Sequence, residues 1–363
     1  MVLLVKMVIA LTTINSCKKL LESYLNNFRV HKCSNVGFVI IGDKKTPDVL
    51  YEEAKSVRDE GFLCEYWDVK KQIELLSTFP SLAKNIPYNS DNRRNIGYLR
   101  AAELGAEIIV SIDDDNFVGK DDFFGCHNIV GAVASFPSPS NPNLWFNPCF
   151  LLDTVPHQLY MRGFPVSKRL DENYSFKKKE TGFVALNMGL WLEDPDVDAW
   201  TNLMYSKKKV LSFMGPHVML QKGENSPINS QNTAIHKSVL PCYYFVSFGR
   251  SSDIWQGYFT KKIIDQMDER VTIGLPLTIH FRNKHNLIEE LGKEVIEMSL
   301  TERLVTWLNN IQLEGNSYAE YYGDLASKLS KNSDSFGNFK VKKFIQNLSK
   351  KMLTWLDACD RVM

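Results

Sequence analysis

The stretch Glu107-Ile-Ile-Val-Ser-Ile-Asp-Asp-Asp115 joins a short apolar run directly to three acidic residues. The run has the length and composition of a buried β-strand, and Gly105 before it is typical of the end of a helix. Side chains alternate across a strand, so Asp113 and Asp115 are expected to point to one side and Asp114 to the other. Two carboxylates would therefore face a common cleft.

The residues before this stretch alternate between strand and helix patterns. Apolar runs predict strands over residues 5–11, 36–41 and 62–69. Helical spacing predicts helices over residues 16–28, with Ser16 as the cap, and over 47–60 and 92–104. Strand and helix in alternation predict a parallel, Rossmann-like sheet, so residues 1–120 are interpreted as a nucleotide-binding α/β half.

Polar residues follow the carboxyl ends of the predicted strands. Thr13 and Asn15 come after the first strand, Asp43 after the second, and the acidic triplet after the last. Ligands of parallel sheets bind beyond the carboxyl ends of the strands. These residues are therefore expected to line one binding site.

A divalent metal ion explains the acidic triplet. Two neighbouring carboxylates repel each other unless a cation joins them. Mg²⁺ or Mn²⁺ takes one or two carboxylates and fills its other positions with waters and phosphates, so a sugar diphosphate would complete the site. His280, after the apolar residues 273–279, is a candidate third ligand or a structural histidine. A solvated acidic turn is the contrasting interpretation.

Arginines supply candidate phosphate ligands. Arg93 and Arg94 begin the helix before the triplet, where the helix dipole also attracts anions, although paired arginines often mark an exposed surface. Arg162 and Arg169 flank a loop shaped by Gly163 and could grip diphosphate oxygens in a bidentate way.

Two segments combine a polar residue with Trp and Gly, namely residues 187–192 and 250–257. Asn187 and Trp191 belong to the first segment. An indole beside a glycine suits packing against the face of a sugar, although Trp is more often a core residue. Asn187 and Trp191 are therefore candidate ligand-binding residues.

The composition excludes several classes of protein. The chain has 363 residues, of which 44% are apolar, so it can bury a large core. A formal net charge of +1 provides no field to gather nucleic acid. Seven cysteines without a CxxC pair favour a reduced, cytoplasmic setting. No apolar run reaches about 18 residues, and residues 1–11 are interpreted as a strand region rather than a signal peptide.

The remainder of the chain is interpreted as two parts. Residues 121–295 have mixed patterns with Pro-rich and aromatic loops and are expected to complete the cleft. Residues 296–363 form a C-terminal helical extension, with helices predicted over 287–311 and 339–356. The second helix sets apolar residues against five lysines between 340 and 351, which suits either an anionic membrane surface or packing on the body.

Six motifs, taken together and in this order, resemble those of the reversibly glycosylated polypeptides, also known as the UDP-arabinopyranose mutase family. They cover roughly residues 90–295. The motifs are Arg94-Asn-Ile-Gly-Tyr98, Ile112-Asp-Asp-Asp-Asn-Phe-Val118, Arg162-Gly-Phe-Pro-Val-Ser-Lys-Arg169, Gly189-Leu-Trp-Leu-Glu-Asp-Pro-Asp-Val-Asp198, Asp253-Ile-Trp-Gln-Gly257 and Gly274-Leu-Pro-Leu-Thr-Ile-His280.

The resemblance implies a GT-A glycosyltransferase fold, a UDP-sugar ligand, and Mn²⁺ or Mg²⁺ at the Asp-x-Asp motif of the triplet. It also implies that Arg169 lies where the family carries its reversibly glycosylated arginine. Two departures stand out. Ser252-Asp253 replaces two adjacent acids of the family, and the residues after Arg169 differ and include Lys177-Lys-Lys179.

These observations favour a metal-dependent glycosyltransferase with a nucleotide-sugar donor and a glycan, lipid-linked or protein acceptor. Asp253 is then the candidate general base or acceptor-orienting carboxylate, and Arg169 the other candidate catalytic residue. Three alternatives stay open: a UDP-sugar mutase, a haloacid-dehalogenase-type phosphatase in which Asp113 attacks phosphorus, and a non-catalytic sugar-nucleotide-binding subunit. A homo-oligomer and peripheral membrane contact are also left open.

Overall fold

The computed structural model describes residues 5–169, 173–282 and 286–363. The strands in this part of the chain are β1 (Met7–Thr12), β2 (Val36–Ile41), β3 (Leu63–Trp67), β4 (Ile108–Ile112), β5 (Asn116–Val118), β6 (Val133–Pro137), β7 (Leu152–Val155), β8 (Lys179–Glu193), β9 (Lys209–Phe213), β10 (Val218–Leu220), β11 (Asn232–His236) and β12 (Arg270–His280). The helices are α1 (Lys18–Val30), α2 (Leu50–Asp59), α3 (Val69–Ser77), α4 (Pro80–Ala83), α5 (Arg94–Glu103), α6 (Phe123–His127), α7 (Ala199–Met204), α8 (Ser252–Gln266), α9 (Leu287–Asn310), α10 (Tyr318–Lys331) and α11 (Phe339–Asp360).

One mixed sheet organises both halves of the chain. Its main strand order is β10-β12-β8-β11-β4-β1-β2-β3. Strands β1 to β4 pair in parallel, whereas β11 runs antiparallel to both β4 and β8. The predicted architecture, a Rossmann-like parallel half followed by a mixed half and C-terminal helices, is therefore confirmed. The two halves share this sheet because β11 inserts beside the strand that carries the acidic triplet.

Burial on both faces explains the apolar strands of the parallel half. Every residue of β2 and β4 is buried, as expected for strands covered by helices on both sides. Helix α5 packs closely on one face, where a Cβ at Gly97 would lie 3.3 Å from the Cβ of Ala10. This close packing fixes the start of α5 near the carboxyl ends of β1 and β4.

Several details of the sequence prediction were wrong. Helix α1 begins at Lys18, so its N-cap position is Cys17 instead of Ser16. Ser16 Oγ accepts from the backbone N–H of Lys18 at 3.4 Å, and Glu53 accepts from the backbone N–H of Cys17 at 2.8 Å. Helices α3, α4, α6, α7, α8 and α10 were not predicted. Helix α10 did carry a helical signal, because Tyr318, Tyr322, Leu325 and Leu329 recur at three- and four-residue spacing and are buried. Helices α3 and α4 are short and bury few side chains.

The C-terminal helix α11 packs on the body through its apolar face. Ile345, Met352 and Trp355 are fully buried, and the indole N–H of Trp355 donates to the carbonyl of Leu240 at 3.1 Å. This observation supports the packed interpretation of residues 339–356, since these apolar side chains are not available to a membrane. Among the described residues, no helix has the length and apolar content to cross a bilayer.

Substitution of two helical glycines by alanine is expected to change the stability of the fold in opposite directions. A Cβ at Gly257 in α8 would lie 2.2 Å from the carbonyl oxygen of Ile228, whereas Gly292 in α9 meets no atom within 4 Å. Gly257→Ala should lower the free energy of unfolding by about 1–3 kcal/mol because backbone must move. Gly292→Ala should raise it by up to about 1 kcal/mol. Urea denaturation measures both, and equal effects would contradict the packing of α8 on this loop.

Candidate functional site

The acidic triplet lies in a turn rather than on a strand. Strand β4 ends at Ile112, and the backbone N–H of Asn116 donates to the carbonyl of Asp113 at 3.2 Å, which closes the turn into β5. Alternation along a strand is therefore the wrong reason for the directions of these side chains. The turn nevertheless sends Asp113 and Asp115 into one cavity and turns Asp114 toward the loop after β1.

Asp113 forms a partly buried ion pair with Arg94. The Arg94 Nη2 lies 2.5 Å from Asp113 Oδ1, and the arginine side chain is only 3% exposed. Burial and the nearby carboxylates of Asp115 and Asp253 raise the pKa of Asp113, and Arg94 opposes that shift. Arg94 also donates to Ser230, which ties β4 to the loop before β11. Arg94 therefore positions Asp113, and in this arrangement it does not serve as the predicted phosphate ligand.

Asp114 holds the loop after β1. Its Oδ2 accepts from the Thr13 hydroxyl at 2.7 Å and from the Asn15 amide at 3.2 Å. Asp43, at the end of β2, accepts from the backbone N–H groups of Lys44 and Ser90. Thr13, Asn15, Asp43 and Asp114, all predicted at this sheet edge, therefore lie close together. Their hydrogen bonds hold the loops that follow β1, β2 and β4.

His280 faces Asp115 from the end of β12. Its Nε2 lies 3.6 Å from Asp115 Oδ2, and its Nδ1 lies 2.7 Å from the carbonyl oxygen of Asp194. Because a carbonyl only accepts, Nδ1 carries a proton and donates. Burial lowers the pKa of His280, but the carboxylate of Asp115, the carbonyl of Asp194 and the carboxylate of Asp196 together raise it, so the net shift is upward.

Two adjoining cavities open at this edge. The strand-end cavity, of about 600 Å³, is lined by the ends of β1, β2 and β4 and includes Thr13, Asn15 and Asp43. The acid-lined cavity, of about 180 Å³, lies against β12 and the start of α8. Asp91, Asp113 and Asp115 line both cavities. A ligand with two distinct parts can occupy both at once.

A buried ion cluster forms the far wall of the acid-lined cavity. The guanidinium of Arg162 binds Asp196 and Asp253 in a bidentate way, with nitrogen to oxygen distances of 2.8–3.0 Å. Asp253 also accepts from the backbone N–H of Ser230. Burial raises the pKa of Asp196, whereas the guanidinium of Arg162 lowers it. The net pKa of Asp196 lies below its usual value. Arg162 is thus occupied by two carboxylates and orients them toward the cavity.

The donor atoms at the junction fit a divalent cation. With Nδ1 donating to a carbonyl, the Nε2 lone pair of a neutral His280 faces Asp115, which is the usual orientation of a metal-bound histidine. Carboxylate oxygens with one imidazole suit a first-row ion such as Mn²⁺. Within residues 5–169, 173–282 and 286–363, no three Asp, Glu, His or Cys side chains already surround one point. Asp115 and His280, with Asp113 beside them, could hold the ion and leave positions for phosphate.

Three predicted site residues lie elsewhere in the described structure. Trp191 is fully buried in β8, so its indole packs in the core instead of against a ligand. Asn187 is buried in a hydrogen-bond network with His127 and Thr272. Arg169 pairs with Asp198 and lies over the ring of Tyr160, away from both cavities. The residues that directly follow Arg169 lie outside the described part of the chain.

Four charged residues of the acid-lined cavity were not among the predicted site residues: Asp91, Asp196, Arg250 and Arg282. The sequence contained a signal for both Asp196 and Arg250. Asp196 lies in the family motif from Gly189 to Asp198, and Arg250 begins the segment 250–257 noted for Trp and Gly. Attention to the charged members of those motifs would have found them.

Comparisons with known proteins agree with the motif pattern. A family model described as "Reversibly glycosylated polypeptide" matches residues 6–363. UDP-arabinopyranose mutase 2 and UDP-arabinopyranose mutase 1 of Arabidopsis thaliana are 26% and 28% identical over 290 residues, 77% of this chain and 75% of each relative. The solved structure of S. aureus TarS 1-349 with UDP-GlcNAc is similar at a TM-score of 0.38 and 12% identity, covering 98% of this chain and 92% of that chain. A score this low does not establish a shared ligand.

Removal of Arg94 tests its role in the acidic cluster. Arg94→Met should lower the free energy of unfolding by about 3 kcal/mol, because Asp113 then lies beside two carboxylates without its counter-charge. The double variant with Asp113→Asn should recover roughly half of that loss. Arg29→Met, which removes an exposed ion pair with Glu60, is the control and should cost less than about 1 kcal/mol. Equal losses at Arg94 and Arg29 in urea denaturation would contradict this role.

Proposed function

The chain belongs to the reversibly glycosylated polypeptide family, and from that premise we propose that it is a metal-dependent glycosyltransferase with a UDP-sugar donor. The observation that carries this proposal is the junction of the two cavities at Asp91, Asp113 and Asp115. A nucleotide sugar has a nucleoside at one end, a sugar at the other and a diphosphate between them. Its three parts match the two cavities and the acidic junction.

The strand-end cavity suits the nucleoside. It lies beyond the carboxyl ends of parallel strands, where this class of sheet binds nucleotides. Its volume of about 600 Å³ is within the range of small-molecule sites. Thr13 and Asn15 are fixed by Asp114, so the loop that would surround the base is ordered before the ligand arrives. Such preorganisation lowers the entropic cost of binding.

The acidic junction suits a cation and the diphosphate. Asp115 and His280, with Asp113 beside them, would hold Mn²⁺ or Mg²⁺, and the bound ion would act as a Lewis acid toward the departing diphosphate. The protein orients this set in advance. Arg94 fixes Asp113, and the carbonyl of Asp194 fixes the imidazole of His280.

The acid-lined cavity suits the sugar and the approach of an acceptor. Asp253 and Asp196 are held by Arg162 with their carboxylates at the cavity wall. Carboxylates in this fixed arrangement can accept hydrogen bonds from sugar hydroxyls and orient the attacking hydroxyl of an acceptor. Asp253 is therefore proposed as the acceptor-orienting residue.

A UDP-sugar mutase is the second candidate, and the names of the relatives support it. One observation favours transfer to a separate acceptor instead. Arg169, which the motif resemblance matches to the family's glycosylated arginine, pairs with Asp198 and lines a different, narrow pocket. In this conformation its guanidinium does not face the proposed sugar cavity.

Binding of UDP should depend on the metal ion. UDP with Mn²⁺ should raise the melting temperature more than UDP and Mn²⁺ do separately, because a ligand stabilises the fold that binds it. Asp115→Asn should lose this extra shift. Asp59→Asn, a change at an exposed position of α2, should keep it. An extra shift that persists in EDTA or in Asp115→Asn would contradict the metal site.

Product analysis distinguishes glycosyl transfer from interconversion of the sugar ring forms. With UDP-arabinopyranose and Mn²⁺ but no acceptor, the protein should release UDP slowly and form no new UDP-pentose isomer, as measured by chromatography. Arg169→Lys should keep the rate within roughly a factor of two, because this side chain lies outside the cavities. Accumulation of a ring isomer, abolished in Arg169→Lys, would favour the mutase.

A further inference from the structure

The acid-lined cavity has more carboxylates than arginines that pair with them. Asp91, Asp113, Asp115, Asp196 and Asp253 all line it. Arg94 is engaged by Asp113, and Arg162 by Asp196 and Asp253. A diphosphate would add further negative charge, so positively charged groups beside it would favour its binding.

Two further arginines line the same cavity and are close to each other. Arg282 Nη2 lies 3.0 Å from Oε2 of Glu290, and Arg250 Nη1 donates to the same oxygen atom. The side chain of Arg250 is 21% exposed and that of Arg282 is 16% exposed. One oxygen anion already brings both groups together.

We propose that Arg250 and Arg282 form a two-guanidinium clamp that binds the diphosphate of the nucleotide sugar opposite the Asp115 and His280 pair. Guanidinium groups match phosphate oxygens through paired N–H donors. Each guanidinium has five N–H donors, of which the bond to Glu290 uses one. The inference rests on the proposed function and adds the phosphate-binding residues to it.

The positions of the two arginines along the chain support this role. Arg282 follows His280 by two residues, and its backbone N–H donates to Asp194, the residue whose carbonyl orients the imidazole. Arg250 lies in a short 3₁₀ turn that leads into α8, three residues before Asp253. The clamp is therefore connected to both the proposed metal site and the proposed acceptor-orienting carboxylate.

One face of α9 holds the clamp in place. Glu290 binds both arginines, Glu294 lies 3.7 Å from Arg250 Nε, and Glu297 accepts from the backbone N–H of Ser251 at 2.9 Å. These glutamates are spaced four and three residues apart, which places them on one side of a helix. The C-terminal helical region thereby positions part of the site.

Binding measurements with a phosphate series test the clamp. Calorimetric titration with uridine and UDP, in the presence of Mn²⁺, gives the contribution of the diphosphate as the ratio of the two affinities. Arg250→Gln and Arg282→Gln should each weaken UDP at least about tenfold and leave uridine within about twofold. Arg361→Gln removes one exposed positive charge far from the cavities and should change neither affinity.

The outcomes distinguish failure of the clamp from failure of the proposed function. Unchanged UDP affinity in both variants, with the wild type binding UDP, would overturn the clamp and leave the function intact. Parallel losses of uridine and UDP would also overturn it, because they indicate a general loss of structure. Arg282→Lys keeps the charge without the planar fork, so an intermediate UDP affinity supports the clamp. A wild-type protein that binds neither ligand would refute the UDP-sugar proposal itself.

Discussion

Carboxylates crowded at one edge of the sheet are the constraint on which the site depends. Asp113, Asp115, Asp196 and Asp253 share one small cavity, and each must be neutralised or must bind a cation. Arg94 and Arg162, both buried, meet part of this requirement and join loops from distant parts of the chain. The site is thus held by ion pairs that leave negative charge at the junction of two cavities.

The sequence was sufficient for the parallel half and for the location of the site. Residues 36–41 form the predicted strand, and the polar residues after β1, β2 and β4 meet at one edge. The prediction of these strands was correct because buried parallel strands have local apolar patterns. The polar residues meet because a parallel sheet places the carboxyl ends of its strands at one edge. The directions of Asp113 and Asp115 depended on a turn that the strand pattern did not reveal.

The second half was less accessible to sequence reasoning. Trp191 and Asn187 lie on β8, a strand buried at the centre of the sheet, so their polar and aromatic groups serve the core. Arg250 and Arg282 become neighbours only because α9 brings Glu290 between them. Such contacts between distant segments follow from tertiary packing, and no local pattern encodes them. The family resemblance located the motifs but did not distinguish their buried members from those that face the cavity.

We propose that a divalent cation at Asp115 and His280 lies between the protein and the diphosphate of a UDP-sugar. Crystals grown with UDP and Mn²⁺ test it most directly through anomalous scattering from manganese. We expect one strong peak within about 2.5 Å of an Asp115 oxygen and of His280 Nε2, with diphosphate oxygens completing its coordination. UDP bound in the cavities with manganese absent from this position, or manganese bound elsewhere on the protein, would contradict it.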